Sequence, residues 1–300
     1  MLPGSPLPRA LTTGVLTIGL GSIALTARGP ERVEPFQGRE TAYVAVADSR
    51  LEPVRGLTAA DFVIRVDGLD REVVDVRPAS DPVSIGLLFD TVSSDLQDLR
   101  GTVTGLAEAL AKTSPNARLG LTLPQSPPIR FVKASQASSE LVRQVTQLLG
   151  LKFSTIEGVG EAMRAMSEEI TRRRALIAAV RVDPSSAHAA STETVASATK
   201  VANELHRGRT ALWGIQIIPP TVARGTTMLE KFMDQVPRRS GGATESISTM
   251  TALEPMIIRY ARLIEAQYIV TYTLPSPQSR ELRVGIKRAG VRVYAPGWAQ

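Results

Sequence analysis

The sequence predicts an α/β protein in which a mostly parallel sheet is flanked by helices and a small β-sandwich is built from N- and C-terminal strands. Between residues 83 and 264, short apolar runs alternate with segments whose apolar residues recur every three or four positions. This alternation is typical of strands joined by helices and favours a parallel sheet. Strand-like segments without intervening helices lie on either side, at 43–76 and 268–294. Neither set is large enough to be stable alone, so we expect the two sets to pack together.

The first 27 residues have the pattern of a secretory signal peptide. Arg9 precedes a mostly apolar run at 10–25 that ends in small residues, which is the order of charge, apolar core and cleavage site in such signals. An uncleaved membrane anchor is the alternative, although the run is short for a membrane span and contains threonines and glycines. We therefore expect an extracytoplasmic protein, periplasmic or secreted, without a membrane span after cleavage. Residues 29–40 indicate a linker.

The two outer regions, 36–80 and 267–300, are expected to supply the strands of the β-sandwich. The first contains strand-like segments at 43–46, 62–66 and 72–76, and Asp67-Gly68 ends the second of these with a strong hairpin signal. The C-terminal region contains three more, at 268–273, 282–287 and 291–294. The α/β domain, expected over 81–266, is then inserted between them.

Within 81–266 the strands and helices follow one another in order. Strands are predicted at 83–90, 119–123, 175–182 and 211–218, with an edge strand at 129–132 and a short strand after Gly242. Helices are predicted from apolar stripes at three- and four-residue spacing. They lie at 96–110, 139–149, 159–170, 195–205, 228–236 and 257–264.

Composition excludes several classes of function. The chain has 43% hydrophobic and 21% charged residues, which is ordinary for a globular protein. Its net charge is +6, but the longest run of basic residues is 172–174, and few aromatic residues accompany it. We interpret this run as a helix end, and nucleic-acid binding is not expected. Absence of cysteine excludes disulfides and zinc–thiolate sites. His188 and His206 are the two histidines, and no nucleophile elbow is present, so we do not expect an enzyme.

A candidate ligand site follows the strand at 83–90. This strand ends at Asp90, and Ser93 and Ser94 come shortly after it. The carboxyl end of a parallel strand is where α/β sheets bind ligands, and carboxylate and hydroxyl oxygens suit Mg²⁺. Val92 interrupts this polar group and supplies no oxygen.

The order of these segments resembles a von Willebrand factor type A (VWA) domain, and more specifically the VWA-related family of secreted acidobacterial proteins. The resemblance covers nearly the whole chain after the signal. It is carried by Val44-Ala-Val-Ala-Asp48, Pro53-Val-Arg-Gly-Leu57, Asp61-Phe62, Val66-Asp-Gly68, Ser84-Ile-Gly-Leu-Leu-Phe-Asp90, Arg172-Arg-Arg-Ala-Leu176, Ser240-Gly-Gly242 and Tyr268-Ile-Val-Thr-Tyr272. It implies a Rossmann-like VWA domain.

VWA domains often carry a metal-ion-dependent adhesion site, in which the metal binds a carboxylate of a partner protein. The resemblance matches Asp90 to the first aspartate of the Asp-x-Ser-x-Ser loop, Ser94 to its last serine and Thr155 to the threonine of a second loop. A third loop should supply another aspartate. In one register Arg181 stands at that position, and a shift of two residues nominates Asp183 instead.

These departures predict a degenerate metal site. Val92 supplies no oxygen, and a guanidinium at Arg181 places positive charge where the cation would bind and can pair with Asp90 instead. We expect a non-enzymatic module without a resident cofactor that binds another protein of the envelope or exterior. Its ligand-binding face would comprise Asp90, Ser93, Ser94, Thr155 and Arg181. The alternative is a functional Mg²⁺-dependent adhesion domain in which Asp183 and water complete the coordination. The sequence leaves the partner and the oligomeric state open.

Overall fold

The structure is a computed structural model, and it describes most of the chain from Gly38 onwards. The described residues are 38–90, 96–113, 117–122, 131–136, 159–160, 162, 164–166, 169, 171, 173–181, 201, 209–218, 220, 228–274 and 280–299. The predicted signal peptide and the predicted helix at 139–149 lie outside them. Over the described part of the chain, no helix has the length and apolarity needed to cross a membrane.

The described strands and helices follow this order. The strands are β1 (Gly38–Ala47), β2 (Phe62–Val66), β3 (Leu69–Arg71), β4 (Val73–Pro78), β5 (Val83–Asp90), β6 (Arg118–Thr122), β7 (Val132–Lys133), β8 (Arg173–Arg181), β9 (Thr210–Ile217), β10 (Thr244–Ile247), β11 (Tyr268–Leu274), β12 (Arg280–Ile286), β13 (Arg292–Tyr294) and β14 (Trp298–Ala299). The helices with continuous bounds are α1 (Leu96–Thr113), α2 (Met228–Ser240) and α3 (Leu253–Glu265).

A six-stranded sheet with the order β10-β9-β8-β5-β6-β7 is the centre of the described structure. Neighbouring strands run parallel except β7, which is antiparallel to β6 at the edge. The central strands are buried on both faces, as Ile85, Leu87 and Leu88 of β5 show, which is why they read as continuous apolar runs. The predicted mostly parallel sheet is confirmed.

Helices cover both faces of this sheet. On one face, α1 contributes Val103 and Leu110 to the core, and α3 contributes Ile257 and Tyr260. On the other face, α2 packs Met233 together with further apolar side chains from helical residues near 159–166. The Tyr260 hydroxyl, although buried, donates to the Gly214 carbonyl at 3.0 Å, so this large aromatic side chain is accommodated without an unpaired polar group.

Two four-stranded antiparallel sheets form the sandwich, with the orders β13-β1-β11-β4 and β14-β12-β2-β3 in the described residues. Each sheet combines N- and C-terminal strands, since β1 pairs with β11 and β2 pairs with β12. The core between them includes Val44, Ile64, Val270 and Tyr272. The predicted sandwich of N- and C-terminal strands is therefore confirmed.

Strand β1 forms a wall shared by the sandwich and the α/β layers. Val44 and Val46 face the sandwich core, whereas Ala45 and Ala47 belong to the core beneath α1 and α3. The alternation follows from the two-residue period of a strand. Small alanines on the second face let the helical layer approach closely. The strand also begins at Gly38, opposite Leu274, inside the segment expected to be a linker; the long-range pairing with β11 extends it.

Arg173 joins the chain segments that connect the sandwich to the α/β layers. Its guanidinium is buried and donates to the carbonyls of Ala79 and Asp81 after β4, at 3.3 and 2.7 Å, and to those of Ile264 and Glu265 at the end of α3. Burial lowers the pKa of Arg173 because desolvation disfavours the charged form. The run at 172–174 was expected to end a helix, but Arg173 and Arg174 instead begin β8, and Arg173 binds the carboxyl end of α3.

Candidate functional site

The strand order reverses direction between β5 and β8. From β5 the chain proceeds through β6 to β7 on one side, and β8, β9 and β10 extend the sheet on the other. Such a switch point leaves a crevice at the carboxyl ends of the two strands, where α/β sheets bind ligands. Asp90 is the last residue of β5 and Arg181 is the last residue of β8. The fold thus brings the ends of both predicted site strands to the same edge.

Strand register defines a row of residues across this edge. Asp90 is paired with Val180, Val180 with Gln216, and Gln216 with Ser246. We call Asp90, Val180, Gln216 and Ser246 the carboxyl-edge row. The row spans β5, β8, β9 and β10, so it crosses the switch point and continues to the edge strand.

The register settles which β8 residue lies level with Asp90. That residue is Val180, which is fully buried and packs in the apolar core on the α2 side of the sheet. Arg181 is half-buried and comes one position later, opposite Ile217. A direct pairing of Arg181 with Asp90 stays a prediction. Val92, Ser93, Ser94, Thr155 and Asp183 lie outside the described residues.

Gln216 and Glu230 form a buried polar contact that the sequence analysis missed. The Gln216 amide nitrogen donates to the Glu230 carbonyl at 3.3 Å, and the Ser246 hydroxyl donates to the Gln216 amide oxygen at 3.3 Å. The Glu230 side chain belongs to a buried residue in the first turn of α2, where negative charge is favoured. Two signals were available: Gln216 interrupts an apolar strand, and Glu230 shares the helical stripe of Met233 and Pro237.

The polar groups at this edge can form hydrogen bonds and ion pairs. The described residues contain no group of three or more His, Cys, Asp or Glu that would hold a metal ion. The Gln216 amide is buried and bonded to Glu230 and Ser246, so the charged groups at this edge are those of Asp90 and the adjacent Arg181. These groups suit hydrogen bonds and ion pairs with another molecule.

A second concave feature lies between the edge strands β10 and β13 and the end of α2. This cleft has a volume of about 410 Å³. Arg292 and Glu245 form an ion pair across it at 3.0 Å, with Arg292 about half exposed. Its walls are formed by Arg238, Gly242, Ala243, Thr244, Glu245, Arg292, Val293, Tyr294 and Ala295.

Aromatic side chains support the inner wall of the cleft. The Trp213 ring lies 5.0 Å from that of Tyr260 and 5.4 Å from that of Tyr294, centroid to centroid. Burial raises the pKa of Tyr294, although the neighbouring Arg292 acts against this shift. The Tyr294 side chain and the Glu245 carboxylate in turn raise the pKa of Arg292. Arg292 therefore remains a cation at this wall.

The Ser240-Gly-Gly242 motif shapes the closed end of the cleft. Gly241 has φ +93° at the end of α2, a left-handed conformation that glycine adopts without strain. A β-carbon at Gly242 would overlap the Leu212 carbonyl oxygen. Pro296 bridges to Ser240, and the Gly297 N–H donates to the Arg239 carbonyl at 2.8 Å. This motif therefore has a packing role.

Comparisons with known proteins give partial structural likenesses. No protein-family model and no curated protein matches the chain. Among solved structures, the PilB minor pilin from Streptococcus sanguinis is 11% identical, with a TM-score of 0.45, and covers 62% of this chain. This chain spans 62% of that structure, less than two thirds of its length.

Two further solved structures are similar over a comparable share of the chain. An aerotolerance-related membrane protein from Bacteroides fragilis has 13% identity and a TM-score of 0.40, covering 61% of this chain and 98% of its own. The SpRpn10 VWA domain has 14% identity and a TM-score of 0.42, covering 59% and 94% respectively. All three TM-scores lie below 0.5, so the α/β assignment rests on the strand order and pairing of the chain itself. Membership of the acidobacterial family stays a prediction.

Proposed function

We propose that this chain is a non-enzymatic, VWA-like protein-binding module that acts outside the cytoplasm and binds its partner without a resident metal. The binding face is the carboxyl edge around Asp90, Ser93, Ser94, Thr155 and Arg181. The observation that supports it is the register of β5 and β8, which sets buried Val180 level with Asp90 and places Arg181 directly after it.

This register disfavours a divalent cation for two reasons. Mg²⁺ requires near-octahedral oxygen coordination, and the Val180 side chain has no oxygen. A guanidinium close to a dication would repel it by several kcal/mol even at an effective dielectric constant of about 20. We therefore assign the site to metal-independent recognition.

Arg181 offers a direct substitute for the metal. A carboxylate of a partner protein can accept two hydrogen bonds from one guanidinium, which fixes its orientation as well as supplying charge. The partner is then a protein of the envelope or exterior that presents an acidic side chain. Export rests on the signal-like pattern of residues 1–27, and N-terminal sequencing of the exported protein tests it.

A metal titration followed by thermal unfolding tests the absence of a resident ion. A ligand that binds the native state at 100 times its Kd stabilises it by about 2.7 kcal/mol. We expect millimolar Mg²⁺ or Mn²⁺ to leave the Tm unchanged, in the wild type and in Asp90→Ala alike. A saturable rise in Tm that Asp90→Ala abolishes would establish the alternative, an Mg²⁺-dependent adhesion domain completed by Asp183.

A pull-down from the native envelope tests the binding face. Asp90→Ala and Arg181→Ala should each lose the partner, whereas Lys231→Ala, an exposed change on α2, should retain it. Arg181→Lys keeps the charge but not the two parallel donors, so it should bind weakly. Equal capture by all variants would refute the assignment of this edge.

A further inference from the structure

The outer edge of β10 is open in the described part of the structure. The strand is the last in the six-stranded sheet and pairs with β9 alone. The Ala243 carbonyl accepts from Gly214 N–H at 2.7 Å, and the Ile247 carbonyl accepts from Ile218 N–H at 2.8 Å. In a parallel ladder these bonds alternate. Ala243, Glu245 and Ile247 therefore bond inward, and the main-chain groups of Thr244 and Ser246 are directed to the open edge.

The cleft lies against this edge and has a second main-chain wall. Its opposite side is β13, which is itself the last strand of its sheet and pairs with β1. The bridge between Ser240 and Pro296 closes one end. Along β10 the lining of the cleft extends as far as Glu245, one residue before Ser246. The cleft thus lies between the edge strands of two sheets.

The charges at the cleft select an acidic occupant. Arg238 is exposed on the last turn of α2, and Arg292 is about half exposed while it pairs with Glu245. Two guanidinium groups, those of Arg238 and Arg292, line the cleft together with one carboxylate, that of Glu245, so the local charge is positive. Unpaired strand edges are commonly protected by charge or by a covering segment, and here the charge is of one predominant sign.

We propose that β10 accepts an extended acidic segment of a partner protein as an added strand. The main-chain groups of Thr244 and Ser246 would pair with the backbone of that segment, and Arg238 and Arg292 would bind its carboxylates. Strand addition of this kind takes its affinity from main-chain hydrogen bonds and its specificity from alternate side chains. This surface is separate from Asp90 and goes beyond the proposed carboxyl-edge site.

The test uses the full chain and a blocked, fluorescent peptide of alternating valine and glutamate, with a valine–lysine peptide as the charge control. We expect the acidic peptide to bind at least about tenfold more tightly at low salt, and the difference to shrink as salt rises. Arg238→Glu should weaken the acidic peptide about tenfold. Lys231→Glu makes the same charge change on the same helix outside the cleft and should leave affinity within about threefold.

Backbone probes distinguish an added strand from simple charge attraction. Peptide binding should slow hydrogen exchange at the Thr244 and Ser246 amides much more than at Glu245, which already bonds to β9. Two further peptides carry N-methyl groups, one on its odd-numbered and one on its even-numbered backbone nitrogens. Only the peptide whose methylated nitrogens face β10 should lose binding. Asp90→Ala should leave peptide binding unchanged, which separates this proposal from the carboxyl-edge site.

Three results would overturn the proposal. Equal binding of the acidic and basic peptides would overturn it, and so would parent-like binding of both methylated peptides. Alternatively, protection of the two amides that grows with protein concentration in the absence of peptide would show that a second copy of this chain pairs with the edge instead.

Discussion

Replacing Arg173 with methionine is expected to destabilise the whole described fold. The side chain is only 4% exposed, and it donates to four carbonyls that belong to both connections between the sandwich and the α/β layers. Methionine fills similar space but donates nothing, so these carbonyls lose their charged donor. The Tyr43 ring, 5.9 Å from the guanidinium, loses its cation as well.

The magnitude follows from the number of bonds and the cost of burial. A hydrogen bond from a charged group contributes about 1.5–3 kcal/mol, so four bonds set a ceiling near 6–12 kcal/mol. Relief of the desolvation penalty of the guanidinium offsets part of this. We expect a net loss of about 3–5 kcal/mol, a large fraction of a typical total stability of about 5–15 kcal/mol.

Urea and thermal unfolding followed by circular dichroism measure this loss. The Tm should fall by roughly 10 °C. Arg65→Met is the matched control, because Arg65 is more than half exposed and pairs with exposed Asp70 at 2.7 Å; it should cost less than about 1 kcal/mol. Arg173→Lys should lie between the two. A loss below 1 kcal/mol for Arg173→Met would refute the joining role of the guanidinium.

Three other perturbations follow from the same structure. Gly242→Ala should destabilise the fold by about 2–4 kcal/mol, because the added β-carbon overlaps the Leu212 backbone. Gly101→Ala, in open space on α1, should instead stabilise it by up to about 1 kcal/mol. Equal urea midpoints for the two variants would contradict both expectations. Burial raises the pKa of Tyr260 and Tyr272. The stabilisation that these buried, neutral phenols contribute is fully present below pH of about 10 and is lost as pH rises towards their folded-state pKa values. Tyr272→Phe should therefore flatten the fall of the urea midpoint at alkaline pH, and an unchanged alkaline profile would contradict this role of Tyr272. Hydrogen bonds from Thr58 lower the pKa of Asp61. The stabilisation from the ionised Asp61 side chain is therefore fully present above pH of about 4 and is lost on acidification. Asp61→Asn should weaken the dependence of the urea midpoint on acidic pH, and an unchanged dependence would exclude this role of Asp61.

The central strands could be predicted from the sequence because their apolar runs end at clear signals. Strand β5 spans 83–90 as expected, and β9 differs from its prediction by one residue at each end. Burial on both faces fixes these bounds locally, together with the aspartate that ends β5 and the prolines that follow β9. In contrast, β3 contains an exposed leucine and two charged residues. It forms only because the hairpin at Asp67-Gly68 folds it onto β2, and a three-residue polar segment carries no such signal.

The sequence alone does not fix the strand register at the candidate site. An apolar run such as that of β8 does not show which of its residues lies level with Asp90. The pairing of Val83 with Arg173 fixes that choice and sets Val180, not Arg181, opposite Asp90. Arg173 was missed for a related reason: its partners are carbonyls about 90 residues away in sequence. Basic side chains usually indicate surface, and only the tertiary structure shows the burial.

The pairing of β1 with β11 bears on how the chain is made. Val44 of β1 pairs with Tyr268 of β11, so the first strand emerges from the ribosome long before its partner exists. During that interval the edge of β1 is exposed and must be kept from pairing wrongly. The first sheet therefore stays incomplete until strands more than 200 residues later have been synthesised, and folding of this part of the chain waits for them.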